Sequence, residues 1–350
     1  MTNRFLLIAA VVSGMLLAST IRSRSESKET ESLLFETQGF HINCDLDLPE
    51  GKGPHPAIIV VHGDGRGTRS YYRTARAKFL DAGYAVLIWD KPGFGDSTGE
   101  FGADRTLSER SSILLKALAI LRSHPEIDAE RIGVWGVSQA GYVVALAIQG
   151  GAEIAFMILV GVPGENGVQQ TAYFVAQQAR CEGYSVAQSA EVDSLAAAVM
   201  TARNYCEYAN FGRLLLDQYP IVKHIDFMAG VLPEDRWSPR DPNSEAFFDP
   251  MPIIETAAIP ALVFFGELDK NVDPVQGAAV YRTALARAGH PFSRVELLPG
   301  VDHDMVPSET GCMKERNSRR SWRVSSKYLD AMYRWLTKLR DIPRGQGRVH

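Results

Sequence analysis

Gly136-Val137-Ser138-Gln139-Ala140-Gly141 stands between an apolar run, IGVWGVS (132–138), and a helix-like run, YVVALAIQG. A serine in a sharp strand-to-helix turn lifts its hydroxyl above a sheet, and small neighbours relieve the crowding. The usual five-residue form of this turn ends in glycine; here Ala140 takes that place and Gly141 follows. A serine hydroxyl needs a base to become a useful nucleophile. His303, in Pro299-Gly300-Val301-Asp302-His303-Asp304, is the candidate base. It follows the apolar run RVELLPG (294–300), and α/β sheets carry their sites in loops at strand carboxyl ends. The other histidines are poorer candidates: His41 and His55 precede a core strand, His124 ends a helix, His290 lies in a turn, and His224 and His350 lie elsewhere. Asp269, in Gly266-Glu267-Leu268-Asp269 after the run ALVFFGE (261–267), is the leading candidate for the acid that orients the histidine. Glu267 and Asp273 are its local rivals. With this trio, a neutral His303 takes the proton of Ser138 and later returns it to the leaving group, while Asp269 holds the imidazole tautomer.

Two further loops belong to this chemistry. His62-Gly63-Asp64-Gly65 follows the run AIIVV (57–61), and a small-residue loop there can aim backbone N–H groups at a developing oxyanion. The second donor is the backbone N–H of Gln139, the residue after the nucleophile. A phosphate cradle is the other use of GDGRG, but neither G-x-x-x-x-G-K nor a helix-opening G-x-G-x-x-G is present. His62 reads as structural rather than catalytic. Asp90, opening Asp90-Lys-Pro-Gly93-Phe-Gly95-Asp96-Ser97, reads as a residue that ties down its own loop.

These loops need strands beneath them. The runs at 57–61, 84–90, 132–138, 155–161, 261–267 and 294–300 are apolar throughout, as strands are when helices cover both faces. Helical patterns separate them: over 71–82; over a long stretch capped by Thr106 or Ser108, with Ile113, Leu114, Leu118 and Leu121 on one face; and near 323–340, striped by Val324, Tyr328, Met332, Trp335, Leu336 and Leu339. The rhythm predicts an α/β fold with a mainly parallel, doubly wound sheet. It breaks over 165–250, where helical patterns at 167–180 and 185–205 precede a Pro- and Asp-rich stretch (232–252). A structureless loop of that length would be out of place, so a helical cap insertion over the sheet's carboxyl edge is expected. The core then falls into two parts, 33–164 and 251–340.

The formal charge of −4, from 37 Lys+Arg against 41 Asp+Glu, excludes a strongly basic nucleic-acid binder. Residues 1–24 read as a secretory signal or an uncleaved anchor: Arg4 precedes the apolar stretch 5–18, which is shorter than the ~20 residues of a stable span. Export of the remainder, periplasmic or secreted, is the expectation. The four cysteines, Cys44, Cys181, Cys206 and Cys312, form no C-x-x-C, so no zinc or redox motif is written. Cys181–Cys206 is the expected bridge, as both lie in one local segment. Lys314, Arg316, Arg319 and Arg320 form a basic cluster that raises the prospect of a lipid surface. No coiled coil or symmetric patch specifies an oligomeric state.

The chain resembles the α/β-hydrolase superfamily across roughly residues 33–340, the 165–250 insertion excepted. The text that carries this is LPEGKGPHPAIIVVHGDG, AGYAVLIWDKPGFGDSTG, HPEIDAERIGVWGVSQAGYV, FFGELDKNVDP and LPGVDHDM, in that order. Within it the chain looks like the exported or cytosolic esterase/peptidase-like branch related to serine aminopeptidases, prolyl-oligopeptidase-type domains and dienelactone hydrolases. The resemblance implies a triad of Ser138, Asp269 and His303, with oxyanion donors at the backbone of Asp64 and Gln139. The triad and oxyanion loop point to an exported serine hydrolase, a carboxylic-ester hydrolase acting on a small ester through an acyl-enzyme without cofactor or metal; the alternative is a peptidase/amidase or thioesterase, acting on a short peptide or a thioester with the same triad. The rival from outside enzymes is a catalytically silent binding protein of the same fold.

Overall fold

The computed structural model describes residues 29–100, 106–225 and 228–342. The expected leader over 1–24 lies outside them. Eight strands form one sheet: β1 (Thr30–Thr37), β2 (Phe40–Asp47), β3 (His55–Val61), β4 (Ala85–Trp89), β5 (Ile127–Val137), β6 (Met157–Val160), β7 (Ala261–Gly266) and β8 (Arg294–Leu298). Their spatial order is β1-β2-β4-β3-β5-β6-β7-β8. From β4 to β8 every pairing is parallel; β1–β2 and β2–β4 are antiparallel. The β1–β2 hairpin lies outside the apolar runs that predict the other strands. Its signal was present in β2, where Ile42, Cys44 and Leu46 are buried and the residues between them are not.

Alternate residues of each central strand serve two cores. Ala57, Ile59 and Val61 of β3 face α2 (Leu107–Ser123), α3 (Ala140–Gln149) and α8 (Pro274–Ala288). Ile58 and Val60 face α1 (Arg73–Asp81) and α10 (Ser326–Arg340). Both faces of the strand are dry, which is why its sequence shows no alternation. Helix α2 opens on a reciprocal cap, with Thr106 Oγ1 accepting from the Glu109 N–H (3.1 Å) and Glu109 Oε2 accepting from the Thr106 N–H (3.0 Å). Its stripe of Ile113, Leu114, Leu118 and Leu121 is buried.

Over 165–250 the chain forms α4 (Gly167–Cys181), α5 (Val186–Thr201), α6 (Tyr205–Gln218), α7 lying just beyond at Met251–Ile254, and one-turn helices between. Helices α4 to α6 have their own apolar core, including Val175, Ala179, Val192 and Leu215. The helical pattern expected over 185–205 ends at Thr201, and a third helix begins at Tyr205. Asn204 caps it, Oδ1 accepting from the Glu207 N–H at 2.9 Å.

The expected Cys181–Cys206 bridge is not formed. Cys181, the last residue of α4, is joined to Cys312, with Cα atoms 5.7 Å apart. Cys312 immediately precedes the short helix α9 (Met313–Asn317) in the stretch that follows His303. Cys206 lies exposed in α6, and Cys44 is buried in β2. Nearness in sequence misled here because α4 runs toward the His303 loop rather than back toward α6. Of the basic cluster, Lys314 and Arg320 are exposed and Arg316 and Arg319 are turned inward. Arg316 is buried against Asp304 and Asn271, and Arg319 bonds Asp302 and Ser308 and stacks on Trp322. Among the described residues no helix is long and apolar enough to cross a membrane.

Candidate active site

Ser138 sits between β5 and α3 with φ +56°, the left-handed region. Holding a residue with a Cβ there costs of order 1–3 kcal/mol, and such strain concentrates at functional turns. The turn is fixed at both ends: the Ser138 N–H donates to Val160 O (2.9 Å), and Ser138 O accepts from the Gly141 N–H (3.0 Å). The departure at Ala140 has a steric account. A Cβ at Gly136 would stand 2.9 Å from the Ala140 methyl, and one at Gly141 would stand 2.8 Å from Val162 Cβ. The chain therefore accommodates a methyl at 140 by leaving 136 bare, while 141 is left bare against Val162.

His303 Nδ1 and Asp269 Oδ2 are 2.7 Å apart, both groups buried. The other Asp269 oxygen accepts the N–H groups of Asn271 (2.7 Å) and Val272 (2.9 Å), which fixes the carboxylate plane. A carboxylate can only accept, so Nδ1 carries a proton, and in the neutral imidazole Nε2 keeps its lone pair. Burial pulls the His303 pKa down, but the Asp269 charge and hydrogen bond outweigh it and the net shift is upward. The two rivals of Asp269 are occupied elsewhere: Asp273 caps α8 through the N–H groups of Val275 and Gln276, and Glu267 accepts from the Gly300 N–H.

Residue 161 connects the serine turn to this pair. Val160 carries the bond to Ser138, and a Cβ on Gly161 would lie 3.1 Å from His303 Nδ1 and 3.3 Å from Asp269 Oδ2. Gly161 also has φ +55°. Gly161→Ala pushes the imidazole by a few tenths of an ångström, and is expected to lower kcat roughly tenfold with KM little changed. Steady-state kinetics checks this; unchanged kcat would mean the pair tolerates displacement.

Ser138, Gln139 and Asp64 line one cleft of about 1000 Å³. Its far wall comes from α4 (Gln170, Thr171, Phe174) and from the 240–246 stretch, with Met313 beside the disulfide. A second cleft, about 540 Å³, opens at the opposite, amino-terminal edge of the sheet beside Pro56, Ala155 and Pro260. It is remote from Ser138. Residue 63 presses on the nucleophile turn: a Cβ at Gly63 would meet Val137 O at 3.0 Å and Ser138 Cβ at 3.3 Å.

His62 is tied into the fold. Its Nε2–H donates to Trp89 O at 2.7 Å, and burial drives its pKa down to about 3, so it stays neutral. Asp90 accepts from Arg69 N–H (2.7 Å), Arg69 Nε (2.9 Å) and Asp96 N–H (2.9 Å), tying its loop down. Two buried arginines were missed as site residues. Arg316 joins Asp304 Oδ2 (2.7 Å) to Asn271 Oδ1 (2.9 Å), linking the loop of His303 to that of Asp269. Arg110 of α2 reaches His62, Gly63 and Gln139. Among the described residues no His, Cys, Asp and Glu cluster could hold a metal.

A tight turn at Ser138 after β5, Asp269 after β7 and His303 after β8, on this strand order, match an α/β hydrolase scaffold. The family model described as the alpha/beta hydrolase family matches residues 58–311, and the chain belongs to that family. It is similar to the quorum-quenching protein AidA of Acinetobacter baumannii, 34% identical over 115 residues, which is 32% of this chain and 38% of that protein. It is similar to 2-hydroxy-6-oxo-6-phenylhexa-2,4-dienoate hydrolase of Comamonas testosteroni, 32% identical over 34% of this chain and 41% of that one. It is also similar to esterase FrsA of Klebsiella pneumoniae, 31% identical over 28% of this chain and 23% of that one. The matches thus span well under half of each relative. Among solved structures, the DcsB complex with its substrate analogue aligns with 89% of this chain and 99% of its own at TM-score 0.52 and 18% identity, a likeness of fold.

Proposed function

We propose that the chain is a serine hydrolase that cleaves carboxylic esters through an acyl-enzyme. The observation that carries this is the buried Asp269–His303 hydrogen bond, which packs against Gly161, next to the Val160 carbonyl that holds the turn of the left-handed, cleft-lining Ser138. In the first half-reaction Ser138 Oγ attacks the ester carbonyl while its proton passes to His303 Nε2. The carbonyl π electrons move to oxygen, and the oxyanion is received by the N–H groups of Asp64 and Gln139. Collapse of the tetrahedral intermediate breaks the bond to the alkoxy oxygen, which takes the proton from Nε2 and leaves as an alcohol. Water then repeats the sequence on the acyl-enzyme and releases the acid. Hydrolase names among the relatives, one of them an esterase, support the class of reaction. Helix α4 and the 240–246 stretch, which wall the cleft opposite Ser138, would select the acyl or alcohol group. Export fits the Cys181–Cys312 disulfide, since such bonds persist in oxidising compartments.

A fluorophosphonate probe followed by peptide mass spectrometry tests the reading. The adduct is expected on Ser138 and is expected to vanish in His303→Ala. An intact protein without adduct, together with no turnover across an ester and amide panel, would favour the silent binding protein instead.

A further inference from the structure

Arg110 lies on α2, 6% exposed, with its guanidinium turned in under the nucleophile turn. Its Nη2 donates to the carbonyl oxygens of His62 (2.5 Å) and Gly63 (2.8 Å), and its Nη1 donates to Gln139 Oε1 (2.8 Å). These acceptors are not arbitrary. The carbonyl of Gly63 and the N–H of Asp64 belong to one peptide unit. That unit is planar and trans, so its C=O and N–H point in opposite directions. A cation that holds the Gly63 oxygen on one side therefore sets the Asp64 N–H on the other. The bond to His62 O holds the preceding peptide plane, so the loop cannot swivel about Gly63. The third bond tethers the side chain of Gln139, whose backbone N–H is the second donor.

We propose that Arg110 is the positioning residue of the oxyanion hole: one buried guanidinium holds both donor residues in register. This rests on the oxyanion reading given above. The planar fork of arginine suits the task, because it presents several donors in fixed geometry, whereas lysine offers a single point charge. The charge also acts through the bond. A carbonyl that accepts from a cation polarises its peptide unit and strengthens the N–H at the other end. Arg110 touches neither the nucleophile nor any reacting atom, so its effect should appear where the oxyanion forms and not in ground-state binding. Nothing in its local sequence, LSERSSILLK, marks it, since one arginine in an amphipathic helix is ordinary.

The test uses p-nitrophenyl acetate as substrate and a phenyl trifluoromethyl ketone, which forms a serine hemiketal with its oxygen in the oxyanion position. Arg110→Lys keeps a buried positive charge but cannot span three acceptors. It is expected to lower kcat about 10- to 100-fold with KM within about threefold, and to weaken the ketone by the same factor as kcat. Unchanged kcat in the folded variant, or a loss in KM alone, would overturn the proposal. If Arg110→Lys fails to fold, Gln139→Leu decides: it retains the backbone donor and removes only the tether, and a fall in kcat of about tenfold is expected, no fall being contrary. Ester turnover that persists undiminished in Ser138→Ala would instead remove the Ser138 acyl-enzyme reading on which the placement of the oxyanion hole rests. That result is distinct from an active, Ser138-dependent enzyme indifferent to residue 110.

Discussion

Ser138→Ala is expected to lower kcat for p-nitrophenyl acetate by about 10⁵- to 10⁶-fold and to leave the fold intact, because removal of the nucleophile from a Ser-His-acid site costs roughly that much. The fold survives because the turn is held by backbone bonds, from Ser138 N–H to Val160 O and from Gly141 N–H to Ser138 O, and neither involves the hydroxyl. Alanine tolerates φ +56° no worse than serine does. Any residual rate above water comes from the oxyanion donors and from binding. Pre-steady-state kinetics adds a second readout. A burst of p-nitrophenol equal to the enzyme concentration marks an acyl-enzyme wherever deacylation is the slower step, and it must be absent from the variant. A variant that retains most of its turnover would mean that water, not serine, attacks, with His303 as its base.

How much of this could be read from residues alone depended on how locally each feature is encoded. The serine turn is written within six residues, because small side chains at 136 and 140 are a steric need of the turn itself, and Gly141 beside them is bare against Val162. Asp269 and His303 stand in loops just after β7 and β8, and the parallel order brings those strand ends together. The Cys181–Cys312 bond and the roles of Arg110 and Arg316 lie at the other extreme. Each joins elements distant in the chain, and which helix face meets which loop is settled by packing rather than by local pattern. The break between α5 and α6 is an intermediate case. Asn204 with Glu207 three residues on was a legible start signal, but continuous helical composition on both sides obscured it.

Asp269→Asn separates the charge of the acid from its shape. In the native site Asp269 Oδ1 accepts two backbone N–H groups, from Asn271 and Val272, while Oδ2 faces His303 Nδ1. An asparagine must place its carbonyl oxygen toward the two backbone donors, since its NH₂ group cannot accept. The NH₂ then faces Nδ1 and donates to it. That forces the imidazole proton onto Nε2, the atom that has to receive the serine proton. The expected loss is about 10³- to 10⁴-fold in kcat, with little change in KM. The pH profile follows from the same exchange. Burial lowers the His303 pKa, and the Asp269 charge more than reverses this, so the folded value lies above that of a free imidazole. Catalysis needs the neutral base, so native kcat/KM should rise with pH through an apparent pKa above the ordinary imidazole range. In Asp269→Asn the charge is gone and the burial remains, so the acidic limb of whatever activity persists should move to lower pH. Profiles of both proteins measured from acid to mildly alkaline pH decide the matter. Coincident limbs would show that Asp269 does not set the protonation of His303, and the assignment of the acid would then have to be made elsewhere.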